Sequence, residues 1–479
     1  MGLPYLRFTD EPQTVATAAE MAAAWDPNPR FFAYGSLMIQ LDALVDRAWM
    51  SLAGIQASEV ITLYDVPDRF FVSHPELVWA NRCLTVVVAA AGLVGAAAAG
   101  RALVRRTTPA WADTGGVLSA LAVAGLPRFA THSAMATQDA PLTAFVLLAV
   151  AAALHGQVAL AGLFAGFAAS CKVSAALAVL PALVAAALGA NRARAAAKAL
   201  VAALGGFVVG TPFAVLDAPT FLADVRLEAW HYGAARPEVS RGLPHLVRGL
   251  GSVALDELAG VGAILAAVGA VALARRGGRE ALVVGVFPLA FALQMSLTTL
   301  DAQRNWLPIA AFGAVAAVVG AGVVREALPA RIAGPLAVLF AVALGARALA
   351  RVAGAAGEPR DTRTRFAEEV GALAAAKGWT AVGVSTDVRM HPRDLARLPG
   401  AFEVPADALD CRAANAYIVA GDGVPGAIAA IRGRPSQRGE GVRFDPSLVL
   451  LPGGPATRAC PTRAPEKRPP GLWERRKGR

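Results

Sequence analysis

The sequence predicts an all-α polytopic membrane protein that carries a small α/β domain after its helices, and three observations support that prediction. Of its 479 residues 56% are hydrophobic and only 17% charged, with a mean hydropathy of +0.50, far greasier than a soluble domain of this length. Apolar runs rich in Ala and Gly recur between short charged segments, with no clean internal repeat. Past Arg351 the pattern turns soluble, with a helix-like FAEEVGALAAAKG and strand-like TAVGVST and AYIVAG.

The elements follow in order. Residues 1–77 form an outer region that opens on the acids of RFTDEPQ, Asp10 and Glu11, and continues into FFAYGSLMIQLDALVDRAWMSLAGI. Asp42 and Asp46 interrupt that stretch, so an amphipathic helix on the membrane surface fits it better than a span. Residues 78–350 form the multi-span bundle. A span needs about 20 apolar residues, and a central charge costs roughly 2.5–3.5 kcal/mol, so charges mark the loops. Ten spans result, near 78–100, 113–130, 140–155, 157–171, 173–190, 199–216, 257–274, 281–299, 306–324 and 333–350.

Ten crossings put the first acids and the region after Arg351 on one side. The opposite loops hold Arg101, Arg105 and Arg106, then Arg192, Arg194 and Lys198, then Arg275, Arg276 and Arg279, then Arg325 and Arg331, against only Glu280 and Glu326. The positive-inside rule makes these loops cytoplasmic, so Asp10, Glu11 and the soluble region face outward. Residues 351–460 form that soluble periplasmic domain, and the basic, Pro-rich 461–479 is expected to be disordered. Cys411 and Cys460 fall here, open to a disulfide in an oxidising compartment or to two free thiols. The net charge of +10 reflects membrane loops and the tail rather than nucleic acid. The four cysteines and six histidines form no CxxC or HExxH.

Outward helix ends gather Asp10, Glu11, Arg82, His132, Asp139, Lys172, His231 and Arg304. Taken singly, most have plain readings. Arg82 can snorkel to headgroups, His132 is a common loop residue, and Arg304 ahead of Trp306 and Pro308 suits an interfacial anchor. Lys172, apolar on both flanks, resists such a reading. A transporter or flippase would instead show paired repeats and ionisable groups near mid-bilayer. A membrane scaffold without activity is the blander alternative.

The DE pair at 10 and 11 with NPRFFAYGSL, HSAMATQDAPL at 132–142, GLFAGFAASCKVSAALAVLP at 162–181, GTPFAVLD at 210–217 and RNWLPIAAF at 304–312 resemble, in order and spacing, a known family. It is the dolichyl-phosphate-mannose protein mannosyltransferase family, glycosyltransferase family 39, with the bacterial aminoarabinose transferases, in the GT-C superfamily. The resemblance covers residues 8 to about 320 and implies a GT-C-type helix bundle in the inner membrane. It also implies inverting transfer of a sugar from a polyprenyl-phosphate donor to a glycan, lipid or protein acceptor at the outer face. By resemblance Asp10 is the base with Glu11 beside it, and Asp139 is a second acid that holds the acceptor or a divalent metal ion. Lys172, Arg304 and Arg82 bind the donor phosphate, and His132 and His231 support. One departure stands out: the family has a transmembrane helix before its DE pair, and only nine residues precede Asp10. The expectation is a chain that starts one helix late, or a shortened form whose Asp10 is poorly fixed.

Overall fold

In the computed structural model the described residues are 10–60, 62, 73–234, 241–299, 302–356, 361–388, 390–404, 409, 411–420, 427–431 and 447–457. The nine residues before Asp10, Cys460 and the basic tail lie outside them. The helices are α1 Glu11–Ala24, α2 Leu37–Ala53, α3 Pro75–Thr107, α4 Ala112–Ala124, α5 Pro127–Ser133, α6 Asp139–Leu154, α7 Val158–Cys171, α8 Leu180–Ala187 and α9 Arg192–Gly210. They continue as α10 Phe213–Leu216, α11 Ala218–Ala234, α12 Leu243–Ser252, α13 Val261–Arg276, α14 Arg279–Ser296, α15 Leu307–Ala327 and α16 Ala330–Ala356, then α17 Thr362–Lys377 and α18 Pro392–Leu395. The chain divides into two compact units, one of Trp25–Asp46 and Trp79–Ala356, the other of Met1–Ala24, Arg47–Val78 and Gly357–Arg479.

The first unit is the helical bundle. Helices stand at all ten expected spans. By length and composition four segments among the described residues are able to cross a membrane, namely Pro75–Thr107, Arg192–Gly210, Arg279–Ser296 and Gln303–Ala327. The pair α12–α13, bent by 114°, makes a fifth if counted as one span. The expected spans at 140–155, 157–171 and 173–190 are shorter apolar helices, the last beginning as a 3-10 turn, Val173–Val179. Such short pieces are held by their neighbours rather than by lipid alone. Leu200, Val201 and Leu204 on α9 and Leu282, Leu289 and Leu293 on α14 are exposed, as suits a lipid solvent.

α15 is the central helix, with 72% of its apolar window buried. Pro308 sits in its first turn, where a missing N–H leaves no helix bond unmade. Its Val315, Val318 and Val319 join Phe287 and Phe291 of α14 and Leu142 and Val146 of α6 in one core. α13 lies flush against it through glycine. A Cβ built on Gly320 would stand 2.0 Å from the Leu265 carbonyl oxygen, and one on Gly269 2.0 Å from that of Ala316. Small residues at such crossings let backbones approach where lipid offers no hydrophobic drive.

The stretch expected on the membrane surface is α2, and its acids point into the protein. Asp42 and Asp46 are buried, whereas Leu44 and Leu52 are exposed. Asn81 Nδ2 donates to Asp46 Oδ2 at 3.3 Å. Burial pushes the Asp46 carboxyl well above its ordinary range, and the Asn81 hydrogen bond offsets only part of that. Burial disfavours the charged form of such an acid, and the Asn81 amide gives it one hydrogen-bond partner on the inner face of the helix.

The second unit contains a five-stranded sheet built from β1 Val382–Ser385, β2 Phe402–Val404, β3 Ala416–Ala420, β4 Ala429–Ile431 and β5 Leu448–Pro452. The order is β2-β1-β3-β5-β4. β2, β1 and β3 run parallel, and β5 is antiparallel to β3 and β4. TAVGVST and AYIVAG supply β1 and β3, and FAEEVGALAAAKG supplies most of α17. Asp361 caps α17 by accepting from Arg363 N, and Gly378 ends it at φ +65°. Phe366 and Val370 of α17 pack with Val382, Val384, Ile418, Leu448 and Leu450. Cys411 is disulfide-bonded.

Gly320→Leu is expected to destabilise the bundle by about 3 kcal/mol, at the upper end of overpacking costs, seen as a lowered thermal midpoint in detergent. Gly205→Leu, where no atom lies within 4 Å of the added Cβ, is the control and should melt like the parent.

Candidate active site

The bundle brings three separated stretches to one buried carboxylate. Asp139 opens α6 and is 4% exposed. Lys172 follows the last residue of α7 in an extended conformation, φ −144° and ψ 131°, which turns the chain from α7 into the 3-10 segment and aims the side chain inward. Its Nζ donates to Asp139 Oδ1 at 2.5 Å and to Asn305 Oδ1 at 3.3 Å. A buried ammonium needs such partners, because removing it from water unpaired is costly.

Two further cationic or titratable side chains face the other oxygen. Arg304 Nε lies 3.6 Å and His132 Nδ1 3.8 Å from Asp139 Oδ2. Arg304 comes from the 3-10 turn Gln303–Trp306 that leads into α15, and His132 from the short helix α5. Asn305, from the same turn as Arg304, also accepts from the Tyr232 hydroxyl at 3.4 Å. The Lys172 ammonium stands over the Tyr34 ring at 5.5 Å from its centroid, a cation–π contact. Tyr34 is placed by its neighbour, since Gly35 N donates to the Cys171 carbonyl at 3.2 Å. Ahead of it, Phe32 N donates to Asp224 Oδ2 at 2.8 Å and Asn28 Nδ2 to Asp217 Oδ2 at 3.0 Å, which ties this segment to α11 and the turn before it.

A cavity of about 210 Å³ adjoins Lys172 and is lined by Phe32, Tyr34, Val225, Glu228, Tyr232, Gln294 and Met295 among others. It is apolar with a few polar groups, the usual make-up of a ligand pocket. Two fixed cations, Lys172 and Arg304, thus face one carboxylate, and the cluster can accept an anion.

Of the residues singled out in the sequence, His132, Asp139, Lys172 and Arg304 meet here. Asp10 and Glu11 stand at the start of α1 in the other unit, Glu11 fully buried. Arg82 is buried in the second turn of α3, next to Asn81. His231 is exposed on α11, its ring edge-on to Tyr232 at 6.1 Å. Asn305 and Tyr34 escaped the sequence reading. The only signals were adjacency to Arg304 and a place in NPRFFAYGSL. A metal does not fit the residues around Asp139. No group of three His, Cys, Asp or Glu gathers among the described residues, and the Asp139 oxygens already face cations.

Lys172→Met should destabilise the ligand-free protein, by less than the roughly 3–5 kcal/mol of a fully broken buried pair, because Arg304 and His132 still face the Asp139 carboxylate. Adding Asp139→Leu should restore a large part of that loss. Unfolding of both variants and the parent in detergent measures the difference, and a single variant as stable as the parent would remove the pair from the account.

No protein-family model and no curated protein matches the sequence. Solved structures do. ArnT from Cupriavidus metallidurans bound to undecaprenyl phosphate is 14% identical with a TM-score of 0.53, over 93% of this chain and 94% of that one. The same protein in the apo state gives 14% identity and a TM-score of 0.49, over 94% of each chain. The apo oligosaccharyltransferase of Archaeoglobus fulgidus gives 13% and 0.48, over 83% of this chain and 61% of that one. The first likeness shows the fold: this chain shares the architecture of that structure, here a helix bundle followed by a small sheet-containing domain.

Proposed function

We propose that this protein is a membrane glycosyltransferase that moves a sugar from a polyprenyl-phosphate donor to an acceptor on the outer side of the inner membrane. The observation that carries this reading is the buried cluster of Lys172 and Arg304 about Asp139 beside an apolar cavity, in a chain with the fold of a protein bound to undecaprenyl phosphate. A lipid phosphate needs fixed cations at its headgroup and an apolar surround. This site offers both.

The proposed chemistry is a single displacement with inversion. The acceptor hydroxyl attacks the anomeric carbon, the bond from that carbon to the phosphate oxygen breaks, and the polyprenyl phosphate departs with the electron pair. Asp10, with Glu11 beside it, takes the hydroxyl proton as general base. Lys172 and Arg304 stabilise the charge that grows on the phosphate, and in a low-dielectric site such fixed groups act strongly. Asp139 holds the two cations in place and neutralises one of them, and Asn305 and Tyr232 complete the polar wall. Arg82, His132 and His231 are assigned supporting roles. The chain's own residues supply every step, and none passes through a metal. The outward direction of the site is supported by the arginine-rich opposite loops. The disulfide at Cys411 belongs with an oxidising compartment.

The test is sugar transfer in membranes that carry the protein, with a panel of labelled polyprenyl-phosphate sugars. Asp10→Asn should lower transfer roughly 10²- to 10⁴-fold and leave binding of undecaprenyl phosphate intact, whereas Lys172→Met should weaken that binding. Unchanged transfer in Asp10→Asn would overturn the base assignment. No transfer of any sugar by the folded, inserted protein would favour a transporter or an inactive scaffold.

A further inference from the structure

We infer that Arg128 and Gln303 form a latch that sets the position of the phosphate-binding cations, so that both act as positioning residues. The inference rests on the proposed reading of Lys172, Arg304 and Asn305 as the donor-phosphate site.

Arg128 lies four residues before His132 on α5, and its side chain is 7% exposed. Its Nη1 lies 3.0 Å from Glu257 Oε1, whose side chain is 1% exposed. Its backbone N–H donates to Glu257 Oε2 at 3.3 Å. Nη2 donates to Ser252 Oγ at 3.1 Å, to Asp256 Oδ2 at 3.3 Å, and to Gln303 Oε1. Ser252, Asp256 and Glu257 belong to the end of α12 and the π-helical turn Val253–Glu257 before the 114° bend into α13. One guanidinium therefore joins α5, that turn and the 3-10 segment bearing Arg304 and Asn305.

The far end of the same segment is fixed by shape. The Trp306 ring, 2% exposed, lies against Gly249 of α12, where an added Cβ would stand 2.1 Å from the indole. His245 packs beside it at 6.1 Å between ring centroids. Arg304 and Asn305 are thus held between two anchors, Gln303 on Arg128 and Trp306 on α12. A four-residue 3-10 turn makes few hydrogen bonds of its own, so its geometry depends on such anchors. Because α5 also carries His132, Arg128 ties two of the groups facing Asp139 Oδ2 to a common support. Buried ion pairs are a poor source of stability and a good source of register, which suits this role.

The decisive variant is Gln303→Met, close in shape, which cuts the latch and leaves the Arg128–Glu257 pair whole. Gln303→Glu keeps an acceptor for the guanidinium and is the rescue. The full chain in nanodiscs is examined by hydrogen exchange of the peptide covering 302–306, by binding of undecaprenyl phosphate, and by ligand-free thermal midpoint. We expect Gln303→Met to speed exchange in that peptide, to weaken lipid-phosphate binding about tenfold and to leave the midpoint unchanged. Gln303→Glu should restore both exchange and binding. Parental exchange and binding in Gln303→Met would overturn the latch, as would losses that follow a fallen midpoint and are not rescued by Glu. If the parent itself binds no undecaprenyl phosphate, the functional reading fails, and faster exchange confined to 302–306 would still establish the latch.

Discussion

The contact between the Lys172 ammonium and the Asp139 carboxylate, 2.5 Å and buried from both sides, is the constraint around which the candidate site is arranged. Neither charge is tolerable alone in a low-dielectric interior. Each therefore dictates where its helix must end: α7 stops one residue before Lys172 and turns it inward, and α6 begins at Asp139. Arg304, His132 and Asn305 then fill the remaining directions. The result is a cluster with more cationic than anionic groups, which is what a phosphate ligand requires.

The bundle serves that arrangement by keeping helix ends at fixed heights. In lipid the backbone must satisfy itself, and association relies on close packing and polar contacts rather than on expulsion of water. Gly269 and Gly320 let α13 lie against α15, the helix whose entry turn carries Arg304. Short helices such as α6, α7 and α8 are sheltered by longer neighbours, which permits a mid-chain 3-10 segment after Lys172. The acids of α2 follow the same logic in reverse, turned into protein while Leu44 and Leu52 of the same helix face out.

Much of this was legible in advance because the signals are local. An apolar run bounded by charges favours a helix, and helices lie along all ten expected stretches, but among the described residues only four, or five with the bent pair, are long and apolar enough to cross a membrane. Short apolar runs with β-branched residues in TAVGVST and AYIVAG likewise mark strands. Lys172 declared itself by its apolar flanks, and His132, Asp139 and Arg304 by their places at helix ends. Asn305, Tyr34 and Arg128 gave no such signal. An asparagine after an arginine, a tyrosine in a loop and an arginine in a turn are commonplace, and only their partners make them notable. The inward turn of Asp42 and Asp46 was hidden too, since helical periodicity tells which residues share a face and not which face meets protein.

By itself the sequence determined that this is a many-helix membrane chain with an α/β domain after it, that loops rich in arginine alternate along it with loops of mixed charge, and that a few charged residues sit at helix ends. These follow from composition and from period, both properties of neighbours along the chain. Tertiary structure alone decided that residues 132, 139, 172, 304 and 305 share one site, that Tyr34 lies under the lysine, and that Arg128 binds the turn carrying Arg304 to α12. Those are contacts between residues up to about 175 positions apart, and their energies depend on burial and distance, which exist only once the helices have packed.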